Sequence, residues 1–211
     1  MTYAIRPYAA GDRSAVRRLS CATAFFGLPR ERIFADDEAL ADFLTLYFTD
    51  HEPGSCLVVE DAGGVAGYLL GARDVRAMRR HAQPYRGIFL KMLRRGTLLS
   101  PTNLLFAARV GLSFLKGEFS GRDVSEAYPA TLHVNLESRC RRQGVGRALI
   151  EAYVGLLRRA SVSGVHLTTL SPEARQFFLK TGFNDLYRKN RSFLRPYAGR
   201  EVTSYVMGMS L

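Results

Sequence analysis

The stretch Arg141-Arg142-Gln143-Gly144-Val145-Gly146-Arg147 constrains the fold more than any other part of the 211-residue chain. Before it, Leu132, Val134 and Leu136 alternate with Thr131, His133 and Asn135, the period-two pattern of a strand over Ala130–Leu136. After it, Leu149, Ala152, Tyr153, Leu156 and Leu157 fall on one helical stripe that ends in Arg158-Arg159. A strand that turns through glycines straight into a helix aims several unpaired N–H groups at one point, where the helix dipole also favours negative charge. The turn is therefore expected to cradle a phosphate.

The flanks supply the rest of a sheet. Residues 2–7 alternate and stop at Pro7, as an edge strand does. A helix is expected from Asp12 to Gly27, with Val16, Leu19 and Thr23 on one face. A second follows Asp36-Asp37-Glu38, with Leu40, Phe43, Leu44, Tyr47 and Phe48 at spacings of three and four. Residues 55–60 and 65–70 flank Asp61-Ala62-Gly63-Gly64 and predict a hairpin. Beyond the turn helix, residues 165–169 form a strand parallel to the first, joined to it by a right-handed crossover. Ser171-Pro172 opens another helix ending at Thr181-Gly182. Strands at 183–187 and 202–207 close the chain around a basic loop holding Arg188, Lys189, Arg191, Arg195 and Arg200.

Charge is concentrated in one place. Residues 72–122 hold eleven basic side chains against Asp74 and Glu118, a net +9 of the whole chain's formal +11. With the apolar groups Ile88-Phe89-Leu90, Met92-Leu93 and residues 104–106, residues 72–128 read as a basic, helix-rich insertion into a single domain of residues 1–211. The longest apolar run, 104–115, is broken by Arg109 and falls short of the roughly 20 residues a membrane span needs. Cys21, Cys56 and Cys140 are odd in number and unpatterned, and the N-terminus lacks the order of a signal peptide, so a cytoplasmic protein is expected. Cys140, beside the turn, has no Cys-His-Asp arrangement near it to make it a nucleophile.

The turn, with Ala174-Arg175-Gln176-Phe177-Phe178-Leu179-Lys180-Thr181-Gly182-Phe183 at the expected distance after it, resembles the GNAT superfamily of acyl-coenzyme-A-dependent N-acetyltransferases. The resemblance covers the chain except the insertion, where an ordinary member has a much shorter connection. It implies an α/β fold, a mixed central sheet of about six to seven strands with helices on both faces. It implies acetyl-coenzyme A as cosubstrate, with no metal. Its diphosphate is expected at the N–H groups of Gln143 to Arg147, with Gly144 and Gly146 allowing close approach and Arg141, Arg142 and Arg147 adding charge. The backbone of Val134, Asn135 and Leu136 is expected to bond the pantetheine arm and polarise the thioester.

The chemistry so implied is attack of a neutral amine on the thioester. His133 and Asn135 share a face of the central strand, and His133 has the ordinary pKa of a base for this step, with Glu137 and Glu126 as further candidates. The family's usual acid, a tyrosine, is Phe178 here, and an asparagine that often opens the same helix is Ser171. That leaves Ser171, Tyr187 or a bound water as the acid. The acceptor is expected to be a small-molecule or peptide primary amine, with the basic insertion favouring an anionic one. A homodimer is compatible with this scheme; contact of the insertion with nucleic acid or a membrane surface ranks lower, since its cations are not interleaved with stacking aromatics. The rival from another class is an acyl-coenzyme-A-binding sensor that has lost turnover.

Overall fold

Alternation along each strand decides which side chains meet which layer of helices. The computed structural model describes residues 3–81 and 83–211, with the side chains of residues 26, 27, 83 and 84 left aside. Its strands are β1 (Ala4–Pro7), β2 (Leu57–Asp61), β3 (Gly64–Ala72), β4 (Ala130–Leu136), β5 (Gly164–Thr169), β6 (Asn184–Asn190) and β7 (Thr203–Ser210). They form one sheet in the order β1-β2-β3-β4-β5-β7-β6, antiparallel throughout except where β4 meets β5. β1 is the edge strand expected; Thr2, placed in it by the sequence, lies outside the described residues.

One face carries Leu69, Leu132, Leu167 and Met207 and is covered by α6 (Val145–Arg159) and α7 (Pro172–Lys180). The other carries Val58, Tyr68 and Leu70 beneath Val16 and Leu19 of α1 (Arg13–Thr23). Next to α1 lies α2 (Asp37–Leu46), which ends in a π-helical turn at Tyr47–His51. Each fully buried leucine or methionine in these layers stabilises by about 1.5–3 kcal/mol. The helices start where the sequence marks them: Asp36 and Ser171 accept N–H bonds from Ala39 at 2.9 Å and Ala174 at 3.1 Å.

The insertion is helical, as expected, and comprises α3 (Val75–Arg80), α4 (Gln83–Arg94) and α5 (Pro101–Leu115). Ile88 and Met92 anchor α4 against Leu40 and Ala41 of α2. Phe106 on α5 packs edge-on against Phe25 (6.0 Å), Phe34 (5.7 Å) and Phe193 (5.9 Å). Residues 25 and 34 belong to the α1–α2 connection and 193 to the segment after β6. The insertion therefore reaches both flanks of the α1/α2 face. The basic loop is shorter than expected, because Arg188 and Lys189 are strand residues paired with Tyr205 and Ser204. Arg188 also lies over the Tyr205 ring, 5.4 Å from its centroid. A helical turn, α8 (Arg195–Ala198), completes that loop.

Candidate functional site

The glycine turn leads into α6 in the conformation that glycine permits. Gly144 sits at φ 80°, ψ −13°, the left-handed region, with no atom within 4 Å of where a Cβ would stand. Arg142 is also left-handed, at φ 62°. The N–H groups of residues 142–147 find no acceptor among the described residues, and α6 ends this turn without a side-chain cap. Six donors and the positive end of a 15-residue helix thus converge on open space.

The neighbouring side chains are less free than the sequence suggests. Arg141 Nε donates to the Leu136 carbonyl at 3.1 Å, Gln143 Nε2 to the Arg139 carbonyl at 2.7 Å, and an Arg147 guanidinium nitrogen to the Lys180 carbonyl at 2.9 Å. Only Arg142 of these three arginines makes no described bond. Gly146 has a second reason to be glycine: a Cβ there would meet Phe177 Cζ of α7 at 3.2 Å and Leu136 Cδ1 of β4 at 3.4 Å.

Beside the turn the sheet opens. β4 and β5 pair only at Ala130↔Val165 and Thr131↔His166, so residues 132–136 have no partner on the β5 side. Glu137 N–H donates to the Ala66 carbonyl at 2.9 Å, which sets the phase of the β3–β4 ladder. In an antiparallel pair, alternate residues spend both backbone groups on one neighbour. Residues 133, 135 and 137 therefore face β3, while Leu132, Val134 and Leu136 turn theirs into the wedge. Asn135 is corrected accordingly: its backbone belongs to the β3 ladder, and only Val134 and Leu136 of the expected trio face the opening.

On the α1/α2 face, Asn135 contributes its side chain instead. Its Nδ2 donates to the Tyr68 hydroxyl at 2.7 Å and to His133 Nε2 at 3.0 Å, and the Tyr68 and His133 rings meet edge-on at 5.7 Å. Burial pushes His133 down to about 4, against the expectation of an ordinary imidazole. With Nε2 accepting from Asn135, the ring proton sits on Nδ1 and the one basic lone pair is engaged by the amide. Burial also raises the Tyr68 hydroxyl well above its usual range.

No family model matches the chain. Solved structures do. The protein SsHAT aligns over 100% of this chain and 98% of its own, at 26% identity and a TM-score of 0.71. The polyamine N-acetyltransferase of Drosophila melanogaster, which catalyses formation of N-acetylagmatine, aligns over 100% of both chains at 14% identity and a TM-score of 0.66. A GNAT superfamily phosphinothricin acetyltransferase from Sinorhizobium meliloti, solved in complex with AcCoA, aligns over 100% of this chain and 89% of its own, at 14% identity and a TM-score of 0.59. The chain has the GNAT fold.

The remaining expected residues are scattered over this GNAT sheet. Tyr187 is on β6, with β5 and β7 between it and β4, roughly 14 Å across the sheet at the usual strand spacing. Its ring fills the space a Gly121 side chain would need, with the hydroxyl 2.5 Å from that Cβ position, so Tyr187 is packed by the insertion's exit loop and not brought to His133. Phe178 is buried in the core, its ring edge-on to Phe177 at 5.2 Å and Phe183 at 5.5 Å. Ser171 caps α7 and donates its hydroxyl to Glu173 at 2.7 Å. Glu137 is ion-paired to Arg139 at 2.7 Å, Glu126 is exposed in the loop before β4, and Cys140 is fully buried. Among the described residues no group of three His, Cys, Asp or Glu is placed to hold a metal.

Tyr68 is the site residue that reading the chain missed. Only the pairing Tyr68↔Asn135 brings it to the cluster, and nothing local to residues 64–72 marks that register. Phe106 was read only as an apolar residue of the insertion; its partners Phe25, Phe34 and Phe193 come from tertiary packing.

Proposed function

We propose that the protein is an N-acetyltransferase that moves an acetyl group from acetyl-coenzyme A to a primary amine. One observation carries this: the β4–β5 wedge opens beside the α6 N-terminus, where the N–H groups of residues 142–147 have no acceptor. A coenzyme has that shape and chemistry, a diphosphate for the turn and an amide-bearing arm for the strand backbone. Gly144, open and left-handed, fits the same group. Residues 142–147 would hold the diphosphate, and the backbone of Val134 and Leu136 would hold the arm. The N–H of one of them, aimed into the wedge, would stabilise negative charge growing on the thioester oxygen.

The bound coenzyme supplies an activated acyl carbon and a thiolate leaving group. A thiol's ordinary pKa is about 8.5, so loss of a thiolate is feasible without a side-chain acid. This fits a site where Phe178 has no proton to give and the Ser171 hydroxyl is spent on Glu173. His133 and Asn135, with Tyr68, would orient the acceptor side as neutral groups; the amine would enter already deprotonated, and the proton its nitrogen sheds as the C–S bond breaks would pass to the departing thiolate, directly or through water. The insertion, through Phe106, would wall that side. Agmatine and polyamines are cations; a chain at +11, with +9 in the wall itself, favours an amine bearing negative charge.

Thiol release from acetyl-coenzyme A, followed over amino acids, acidic peptides and polyamines, tests this. Turnover fastest on the acidic amines is expected. Tight coenzyme binding without release on any amine would favour the acyl-coenzyme-A sensor, a reading supported by the tied Nε2 of His133 and by Phe178.

A further inference from the structure

Among the described residues, every large apolar side chain that is exposed lies between Phe89 and Phe119. A concentration of that kind on a basic segment marks a surface that is covered in use. On α4, Tyr85, Ile88 and Met92 face α2 and the half-exposed Phe89 ring meets Phe43 of α2 edge-on at 5.7 Å, while Leu90 and Leu93 face outward at about 50% exposure. Arg86 and Arg94 lie one turn before and after that outward stripe, on the same side of the helix. On α5, Leu105, Ala108, Leu112 and Leu115 recur at spacings of three and four on the outer side, with Leu115 82% exposed. Lys116 follows at the helix end.

The charges beside these stripes lack counter-charges, although Lys116 Nζ donates to the Ser192 hydroxyl at 3.4 Å. Arg86, Arg94, Lys116 and Arg122 have no carboxylate partner among the described residues, whereas Lys91 and Arg95 bind Asp42 and Asp36. Residues 83–122 contain a single acid, Glu118, and it is engaged by Ser113 and by the Ser192 N–H. Two helices with apolar outer faces, fringed by cations that lack counter-charges and without free acids, complement a surface that is apolar inside and anionic at its rim. Among the described residues no helix is long and apolar enough to cross a membrane, so such contact would be peripheral.

We propose that the outer faces of α4 and α5 dock on an anionic lipid bilayer. A second copy of the chain fits less well, because it would set two fringes of like charge against each other. Nucleic acid would satisfy the cations but leave the leucines in water. Docking there would place the α1/α2 face, which the insertion walls, next to the membrane.

The test uses the full chain with sedimented vesicles of phosphatidylcholine alone and of phosphatidylcholine mixed with phosphatidylserine, at low and high salt. Binding to the anionic vesicles that weakens with salt is expected. Each of Arg86→Gln and Arg94→Gln should lower partitioning about fivefold, and Leu112→Gln with Leu115→Gln should abolish it. These positions are exposed, so an unchanged circular dichroism spectrum and melting curve would show that the fold survives. Equal binding to both vesicle types, or none to either, would overturn the proposal. So would self-association of the free protein that the leucine substitutions remove, or binding to duplex DNA in place of vesicles.

Discussion

Acidification should destabilise the fold through His133, by an amount that the structure sets. Burial lowers its pKa to about 4, while an unfolded histidine titrates near 6.5. Because the folded state holds the neutral ring, the unfolded chain binds the extra proton. The contribution is present in full above about pH 6.5 and is lost as pH falls towards the folded value. Linkage over that window gives about 2 kcal/mol lost by about pH 5 and about 3 kcal/mol by about pH 4. His133 keeps some contact with solvent, so both figures are upper bounds. The measurement is a set of urea midpoints across this range for the natural chain and for His133→Gln, which keeps an acceptor for Asn135 but cannot titrate. His166, also lowered by burial, contributes to both chains and cancels in the difference. Equal acid loss in the two proteins, or an NMR titration of the His133 ring centred near 6.5, would refute the reasoning, and His133 would return as a candidate base.

Gly144→Val should cost about 1–2 kcal/mol at a left-handed position and weaken acetyl-coenzyme A binding by about tenfold, read by calorimetry; undiminished affinity would move the diphosphate elsewhere. Ser171→Ala should lower stability by about 1 kcal/mol, read by thermal denaturation, and leave turnover unchanged, since its hydroxyl caps α7. A collapse of turnover at unchanged stability would make it the acid instead. Asn135→Ala removes a donor shared by Tyr68 and His133 and should cost about 1–3 kcal/mol in chemical denaturation.

Periodicity and turn chemistry act over a few residues, and much of what depends on them was legible in the chain, although α1 ends at Thr23 rather than near Gly27 and β6 runs on to Asn190. The hairpin of β2 and β3, the bounds of β4 and α6, the caps at Asp36 and Ser171 and the helical insertion are all of this kind. Gly144 could be read too, because a strand-to-helix turn needs a left-handed residue wherever it is placed. The packing demand at Gly146 could not, because it comes from Phe177, thirty-one positions away on another helix.

The same division runs through the candidate site. Sequence alone established that His133 and Asn135 share a face, since side chains alternate on any strand. It could not say that Tyr68 joins them, because register between strands is a pairing property. Nor could it give His133 its depressed pKa, which comes from burial of the ring beside Tyr68 of β3. Which backbone groups of β4 face the wedge depends on the phase of the β3 ladder and on β5 departing after Thr131. Tyr187 was plausible by residue type and is excluded from the cluster by two intervening strands. Local chemistry wrote the elements; distance and burial, which exist only once the chain is folded, decided which residues meet and in which protonation state.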